Sequence, residues 1–344
     1  MNITFMIGNG FDVGLGMKTK FKDFFPVYLA QSEKKPQEIK RLAKEIKNDF
    51  QTWSDFELQM GQYTALFGSG EIGKIIQQFR DFQTEFMKYL KEKQKELSFQ
   101  DKTAIAELML SALKGFYTTT NLQNRSSETI EKIFRARAVE KRQFHFISFN
   151  YTCALENCLD TIPDRLVEIR KVGKSTIKDV VGKIIHVHGT ERNVPIMGVG
   201  DSYQIANKEL ASNERFLRYF VKPKINAAHR TNQDVETSTL ISNSTIICVY
   251  GMSLGATDKN WWNEVLLWLK ENSERQLVIF DYDPEFSNTS QFDWIEKEYS
   301  ILDKLASYNN ASEQDIEMLR PRIHIAVNKN IFEMDLRMTS VVLG

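Results

Sequence analysis

Short runs rich in isoleucine, valine and phenylalanine recur at long intervals along this 344-residue chain, and they limit the folds that it can adopt. The runs are 3–7, 144–149, 184–188, 245–250, 277–282 and 323–327. Most are continuously apolar, and segments with helical periodicity separate several of them. A strand that is apolar on both faces must be covered on both faces, which is typical of a parallel sheet between helical layers. The sequence therefore predicts an α/β fold with a mostly parallel sheet.

A long helical segment interrupts this pattern after the first run. Three stretches within it read as helices, 36–50, 71–97 and 102–117. Because ordinary crossover connections are far shorter, residues 31–139 are predicted to form a large helical insertion, a lid or cap beside the carboxyl ends of the strands. Residues 1–30 and 140–344 then form a Rossmann-like nucleotide-binding core.

Composition narrows the class of protein. The 45 basic and 45 acidic residues balance, so no overall field attracts nucleic acid, and nucleic acid is not an expected partner. The three cysteines form no Cys-x-x-Cys pair, which argues against a thiolate zinc site and a disulfide scaffold. No metal is predicted. No apolar stretch reaches the length of a membrane span, and a cytoplasmic location is expected.

The first run leads directly into the glycine turn Gly8-Asn9-Gly10-Phe11-Asp12. Glycine lets the main chain bend sharply and approach a ligand, and a helix that follows presents free N–H groups to phosphate. Gly14 stands one place later than the third glycine of the dinucleotide fingerprint. Asp12 would repel a diphosphate, so it is predicted to accept hydrogen bonds from ribose, base or water, or to cap the helix. The turn predicts a nucleotide site.

Asn150-Tyr151-Thr152 follows the second run. An asparagine amide donates and accepts at once, which suits the recognition of a ribose or the positioning of a water molecule. The alternative is a turn in which Thr152 caps the next helix.

Two histidines mark the end of the third run. His186 and His188 share one face of a strand, because strand side chains alternate. His188, beside Gly189, is the better candidate for a general base near neutral pH, whereas His186 fits a supporting role in the core. A metal pair is a rival interpretation without an obvious third ligand.

A second glycine turn, Gly251-Met252-Ser253-Leu254, follows the fourth run. Ser253 is predicted to bond phosphate or ribose. Asp258 either caps the tryptophan-rich helix, which is the favoured interpretation, or reaches into the pocket. Asp281, at the end of a later strand, is placed to meet ribose hydroxyls.

Glu57 is a further candidate, within the insertion. If the apolar stripe of Ile39, Leu42, Ile46, Phe50 and Trp53 continues as one helix, Glu57 takes the next inward position, and a buried carboxylate there would mark a site. The favoured alternative is a capping box from Ser54 to Glu57 that restarts the helix.

These motifs resemble those of bacterial AbiH-type abortive infection proteins, which protect bacteria from phage. The resemblance rests on the first glycine turn and on the residues that follow it, Gly16-Met17-Lys18-Thr19 and Phe21-Lys22-Asp23-Phe24. It extends to four further motifs: the stretch from Trp53 to Glu57, Phe149-Asn150-Tyr151-Thr152, His186-Val187-His188-Gly189, and Gly251-Met252-Ser253-Leu254.

A weaker similarity is to sirtuin-like domains, which bind NAD between such motifs in the same chain order. By that resemblance Asn150 positions the nicotinamide ribose or the attacking water, His188 is the general base, and Gly8, Asn9, Gly10, Gly251 and Ser253 line the dinucleotide. The zinc cysteines of sirtuins are absent from this sequence, so the resemblance implies NAD hydrolysis and not protein deacylation.

The sequence thus predicts a defence protein that binds and hydrolyses NAD or a related nucleotide, responds to a phage-derived trigger, and forms a homo-oligomer. The alternatives are a nucleotide sensor that signals through its insertion without turnover, and a metal-dependent nuclease that uses Asp12, Glu57, His186 and His188.

Overall fold

The computed structural model describes residues 1–287, 289–309 and 311–337, and its centre is a seven-stranded sheet. The strands are β1 (Asn2–Ile7), β2 (Gln143–Ser148), β3 (Leu166–Val172), β4 (Ser175–His186), β5 (Ile246–Tyr250), β6 (Gln276–Asp281) and β7 (Ile323–Val327). They lie in the order β3-β4-β2-β1-β5-β6-β7. The pairs from β4 across to β7 are parallel, and β3 runs antiparallel to β4 as a hairpin partner at the edge.

The side of β1 on which successive strands are added to the sheet changes along the chain. The chain first adds β2 and β4 on one side of β1 and then adds β5, β6 and β7 on the other side. In open α/β sheets, ligands bind outside the carboxyl ends of the strands where such a reversal occurs. The reversal between β1 and β5 is therefore where a ligand site is expected.

All six predicted runs are strands, which confirms the mostly parallel α/β sheet. Two features were not predicted: β3, and the first half of β4. Both alternate between buried and exposed residues, because β3 is an edge strand and the hairpin reaches solvent. Continuously apolar runs mark only the strands that helices cover on both faces, so neither β3 nor the first half of β4 has such a run.

Helices fill the connections. The predicted helices 36–50, 71–97 and 102–117 correspond to α3, α5 and α6. None of the helices in the described ranges is both long and apolar enough to cross a membrane. The helices are α1 (Gly10–Gly14), α2 (Phe21–Ser32), α3 (Gln37–Asn48), α4 (Phe56–Tyr63), α5 (Ile72–Lys95), α6 (Lys102–Gly115), α7 (Asn124–Ala136), α8 (Ala154–Leu159), α9 (Lys208–Ala211), α10 (Glu214–Phe220), α11 (Lys222–His229), α12 (Gln233–Ser242), α13 (Lys259–Glu271), α14 (Gln291–Asn309) and α15 (Glu313–Leu319).

The two faces of the sheet are covered by different helices. Ile3, Phe5 and Ile7 of β1 pack with residues of α6, α7 and α8, whereas Met6 packs on the opposite face with residues of α12, α13 and α14. The alternation follows from the period of two along a strand. The sheet is therefore buried between two helical layers, which explains its continuously apolar strands.

A third core lies among α2 to α5. Phe24, Phe56 and Phe82 pack there with Val199 and Phe220, which come from the chain after β4. The first half of the predicted insertion thus shares its core with the segment that follows β4, and α6 and α7 pack against the sheet. The division into an insertion at 31–139 and a core stays a prediction, and residues 338–344 at the end of that core lie outside the described residues.

The two glycine turns meet at the strand-order reversal. The main-chain N–H of Gly8 donates to Tyr250 O over 2.9 Å, and that of Gly10 donates to Gly251 O over 2.8 Å. A Cβ on Gly10 would lie 2.5 Å from Gly251 Cα, and Gly251 itself has a φ of +69°. The glycines therefore allow two main chains to touch.

We expect Gly10→Ala to lower the free energy of unfolding by about 1–3 kcal/mol, because the added methyl group meets main-chain atoms that cannot rotate away. Urea unfolding measures this change. Gly73→Ala is the matched control: its added Cβ would meet no atom within 4 Å, and alanine favours the helix α5. A Gly10→Ala protein as stable as Gly73→Ala would contradict the close contact.

Candidate functional site

The first of two buried polar clusters links the ends of β1 and β2. Asp12 accepts a hydrogen bond from Asn150 Nδ2 over 3.0 Å and another from Thr152 Oγ1 over 2.7 Å. All three side chains are at most 5% exposed. We call these three residues the Asp12 cluster. It brings together two of the residues that the sequence placed at the ligand site, Asp12 and Asn150.

The capping roles considered for this cluster are wrong. Asp12 lies inside the short helix α1 and is not its cap. Thr152 does not cap α8, whose preceding residue is Cys153 and which has no side-chain cap. The two side chains instead bond to each other. A buried carboxylate without donors costs more free energy than a helix end that solvent can reach.

Burial raises the pKa of Asp12 from its ordinary 3.8 to about 7. The hydrogen bonds from Thr152 and Asn150 and the charge of His186 act in the opposite direction but do not overcome the loss of solvation. Asp12 therefore changes its charge near neutral pH, in contact with the amide of Asn150.

This pKa predicts a pH-dependent stability. The folded protein holds a proton on Asp12 that the unfolded chain releases near pH 4, so the free energy of unfolding should fall as the pH rises from about 4 to about 7. With about 1.4 kcal/mol for each tenfold change in the protonation equilibrium, the fall is about 4 kcal/mol at most. Urea midpoints across this range measure it.

Asp12→Asn is the control for this prediction. An amide does not titrate, and the variant keeps every histidine, including His324, whose burial lowers its pKa to about 4 and makes the folded state less stable in acid. The difference between the two proteins isolates Asp12. Equal slopes against pH would contradict the assignment.

His186 supports the Asp12 cluster from β4. Its Nδ1 lies 3.1 Å from Asn150 O, and its Nε2 contacts Glu156 Oε1. Burial acts to lower the pKa of His186, but the hydrogen bond and charge of Glu156 outweigh it and raise the pKa. His186 thus takes the supporting role that the sequence predicted.

The second cluster joins the helical segment to the carboxyl edge of the sheet. Lys222 Nζ at the start of α11 lies 2.8 Å from Glu57 Oε2 and 3.0 Å from Asp258 Oδ1. His188 Nε2 also lies 3.0 Å from Asp258 Oδ1, and the Tyr151 hydroxyl donates to Glu57 Oε1 over 3.0 Å. We call these five residues the Lys222 cluster. Asn150, Tyr151 and Thr152 point alternately, so one turn serves both clusters.

Two favoured capping interpretations are wrong here. The stripe ends with α3 at Asn48, and Asp55 caps α4 through Leu58 N, so Ser54 forms no capping box. Glu57 is instead 8% exposed and accepts a further hydrogen bond from Gly198 N over 3.1 Å. Asp258 precedes α13 but makes no side-chain cap, because its carboxylate binds His188 and Lys222. Both carboxylates pair with Lys222, and their roles at a ligand site stay predictions.

The surroundings of His188 fix its tautomer. An ionised Asp258 only accepts hydrogen bonds, so the ring nitrogen that faces it, Nε2, carries the proton. Lys222 Nζ donates to the same Oδ1 atom, and its 3.3 Å separation from Nε2 is the distance between two donors that share one acceptor. Nδ1 is then the basic atom of the neutral ring. It is buried and has no hydrogen-bond partner in the structure.

Asp258 and Lys222 stabilise each other's charged forms within the cluster. Burial acts to raise the pKa of Asp258, but the charges of Lys222 and His188 hold it well below its usual range. Burial acts to lower the pKa of Lys222, and the charges of Asp258 and Glu57 keep it above its usual range.

Other predicted site residues lie apart from both clusters. Asn9 accepts a hydrogen bond from Thr19, the main-chain oxygen of Ser253 accepts one from Lys304, and Asp281 pairs with Lys297. Their roles in ligand binding stay predictions, as do those of Gly8, Gly10 and Gly251. Within the described ranges, no three His, Cys, Asp or Glu side chains converge to hold a metal ion, so the four residues of the nuclease alternative do not form its site.

A comparison with known families agrees with the motifs that form these clusters. The family model described as bacteriophage abortive infection AbiH matches residues 4–281. The chain belongs to this family. No curated protein matches this chain. The AbiH match covers both glycine turns and all the residues of the Asp12 and Lys222 clusters.

Two members of the Lys222 cluster were not predicted from the sequence. Tyr151 lies within a motif that was singled out, and its role could have been considered there. Lys222 gave no signal, because nothing in its neighbourhood distinguishes it from other lysines until the fold places it between Glu57 and Asp258.

Proposed function

We propose that this abortive infection protein hydrolyses NAD, or a related nucleotide, at the carboxyl edge of its sheet, with His188 as the general base. The proposal rests chiefly on the buried His188 ring, which Asp258 holds through Nε2 while Nδ1 stays without a partner. A base oriented by a carboxylate is the arrangement expected for the activation of water.

The strand order also supports a nucleotide site. Without the edge strand β3, the parallel strands follow the order 3-2-1-4-5-6 of dinucleotide-binding Rossmann folds. The clusters follow β1, β2, β4 and β5, on both sides of the reversal. We therefore propose a Rossmann-like, sirtuin-like fold for the core.

The proposed reaction needs few groups. Water adds to C1′ of the nicotinamide ribose, the C1′–N bond breaks, and nicotinamide leaves as a neutral molecule with the bonding electron pair. His188 Nδ1 takes the proton of the water and later releases it to solvent. Asn150, held by Asp12, presents an unpartnered Oδ1 that can orient the water or a ribose hydroxyl.

The site must open to admit such a substrate. Glu57, His188 and Lys222 are each at most 8% exposed. The contact of Glu57 with Lys222 ties α4 to the site, so we propose that α4 and its neighbours act as the lid. A phage-derived trigger, a cytoplasmic location and assembly into a homo-oligomer complete the proposal.

A nucleotide sensor is the second candidate. The N–H groups of Gly8 and Gly10 are already bonded to the other turn, so the first turn offers neither of them to a phosphate. A phosphate would therefore bind elsewhere in a sensor and in an enzyme alike, and turnover is what separates the two candidates.

Incubation of the purified protein with NAD, with and without extract from infected cells, separates the two candidates. Release of nicotinamide supports the hydrolase. Bound nucleotide that is recovered intact supports the sensor and contradicts the hydrolase.

A further inference from the structure

A third set of buried polar side chains lies beside His188, outside both clusters. It consists of Asn226 on α11, Asp234 and Thr237 on α12, and Glu264 on α13, and we call it the Asn226 cluster. Asn226 is 5% exposed and Thr237 is 0% exposed. Neither Asn226 Oδ1 nor Thr237 Oγ1 has a hydrogen-bond partner. Unpaired buried polar atoms destabilise a fold, so a group of them calls for an explanation.

Their mutual contacts place these residues together. Asn226 Nδ2 donates to Asp234 Oδ1. Thr237 follows Asp234 by three residues in the same helix and so lies on the same face. Burial raises the pKa of Asp234, and the charge of His188 acts against that rise; burial also raises the pKa of Glu264, and the charge of Asp234 adds to it. Asn226 follows Lys222 by four residues on α11 and so lies on the same face of the helix, one turn from the ammonium that is 3.3 Å from His188 Nε2.

The side chains of this cluster mainly accept hydrogen bonds. Asn226 offers an unpartnered Oδ1, and Asp234 and Glu264 contribute carboxyl groups. The hydroxyl of Thr237 can donate or accept. A phosphate also only accepts hydrogen bonds and carries negative charge, so it would be repelled here, whereas hydroxyl and amino groups would find partners.

We propose that the Asn226 cluster is a binding subsite for the hydrogen-bond donors of a nucleoside, its sugar hydroxyls or its exocyclic amine, next to the Lys222 cluster. The proposal rests on the proposed function, since it places a nucleotide substrate against His188. It adds that the phosphates lie elsewhere, and that residues 226–237 determine specificity.

Thr237→Val tests the subsite with little change in shape. Valine keeps the volume and removes only the unpartnered hydroxyl, so the free protein should melt at the same temperature or higher. Binding of adenosine, measured by calorimetry without turnover, should weaken roughly tenfold.

Thr4→Val is the matched control. Thr4 is also 0% exposed, but its hydroxyl shares a hydrogen bond with Ser244 Oγ over 2.6 Å. This variant should lower the melting temperature and leave the affinity of the folded protein for adenosine unchanged. A purely structural role for Thr237 would make the two variants behave alike, which would overturn the proposal.

Three further probes identify the donor. Inosine lacks the exocyclic amine, and 2′,3′-dideoxyadenosine lacks the 2′- and 3′-hydroxyls, so weaker binding of one of them by the wild type identifies the donor. Inorganic phosphate should not compete with adenosine. Equal binding of all three nucleosides by wild type and Thr237→Val, or no binding of any, would show that the cluster holds water alone.

The outcomes for this subsite and for the hydrolase are separable. Adenosine binding that depends on Thr237 in a protein that releases no nicotinamide supports the subsite and contradicts the hydrolase. NAD hydrolysis with a KM that Thr237→Val leaves unchanged supports the hydrolase and contradicts the subsite.

Discussion

Replacement of Lys222 by methionine should lower the free energy of unfolding by about 3–5 kcal/mol, because it leaves two buried carboxylates without their cation. The Lys222 side chain is 6% exposed and contacts both Glu57 and Asp258. Methionine has a similar length and an unbranched chain like the lysine stem, so the loss reports charge more than packing. Urea unfolding at neutral pH measures it.

Lys35→Met is the matched control for this substitution. Lys35 also contacts two carboxylates, those of Asp81 and Glu85, but its side chain is 19% exposed. Solvent screens such a pair, and the expected loss is about 1 kcal/mol or less. Similar losses for Lys35→Met and Lys222→Met would contradict the buried character of the Lys222 cluster.

The same experiment tests whether the cluster ties α4 to the sheet. Glu57→Gln removes one of the two charges that Lys222 balances, so the double variant with Lys222→Met should lose less stability than the two single losses add up to. Additive losses would mean that Glu57 and Lys222 act independently. Non-additive losses support the lid proposal, because they locate a strong contact at the boundary that must open.

The parts of the fold that were predictable are those with a local signal. Continuously apolar strands such as β1 and amphipathic helices such as α5 have a periodicity that reports burial directly. The edge strand β3 gives only a weak signal, because its burial alternates incompletely and its pairing depends on the turn at Gly173. The alternation and the turn chemistry of that hairpin were the available cues.

Candidate site residues could be predicted where they directly follow a strand. They could not be predicted where only the fold brings them to the site. Asp12, Asn150 and His188 were found because the carboxyl ends of parallel strands meet at one edge. Local capping rules misled at Glu57 and Asp258: both stand next to a helix start, but the partner that determines their role, Lys222, is distant in sequence. Pairing with a buried cation stabilises a buried carboxylate more than capping a helix does.

The second large effect expected is on catalysis. His188→Ala should reduce the rate of nicotinamide release by about 10²–10⁴-fold, the usual contribution of a general base. The substitution removes the unpartnered Nδ1 and also leaves Asp258 with only Lys222 as a donor. Single-turnover kinetics with saturating NAD measures the effect on the chemical step.

Two other histidine variants show whether the loss belongs to His188 itself. His229 is exposed at the end of α11, so His229→Ala should leave the rate unchanged. His186 contacts the main chain of Asn150, so His186→Ala should slow the reaction less than His188→Ala, by displacing Asn150 and not by removing a base. If His186→Ala had the larger effect, the general base would lie in the Asp12 cluster, where Asp12 has a pKa of about 7, and the assignment of His188 would be wrong.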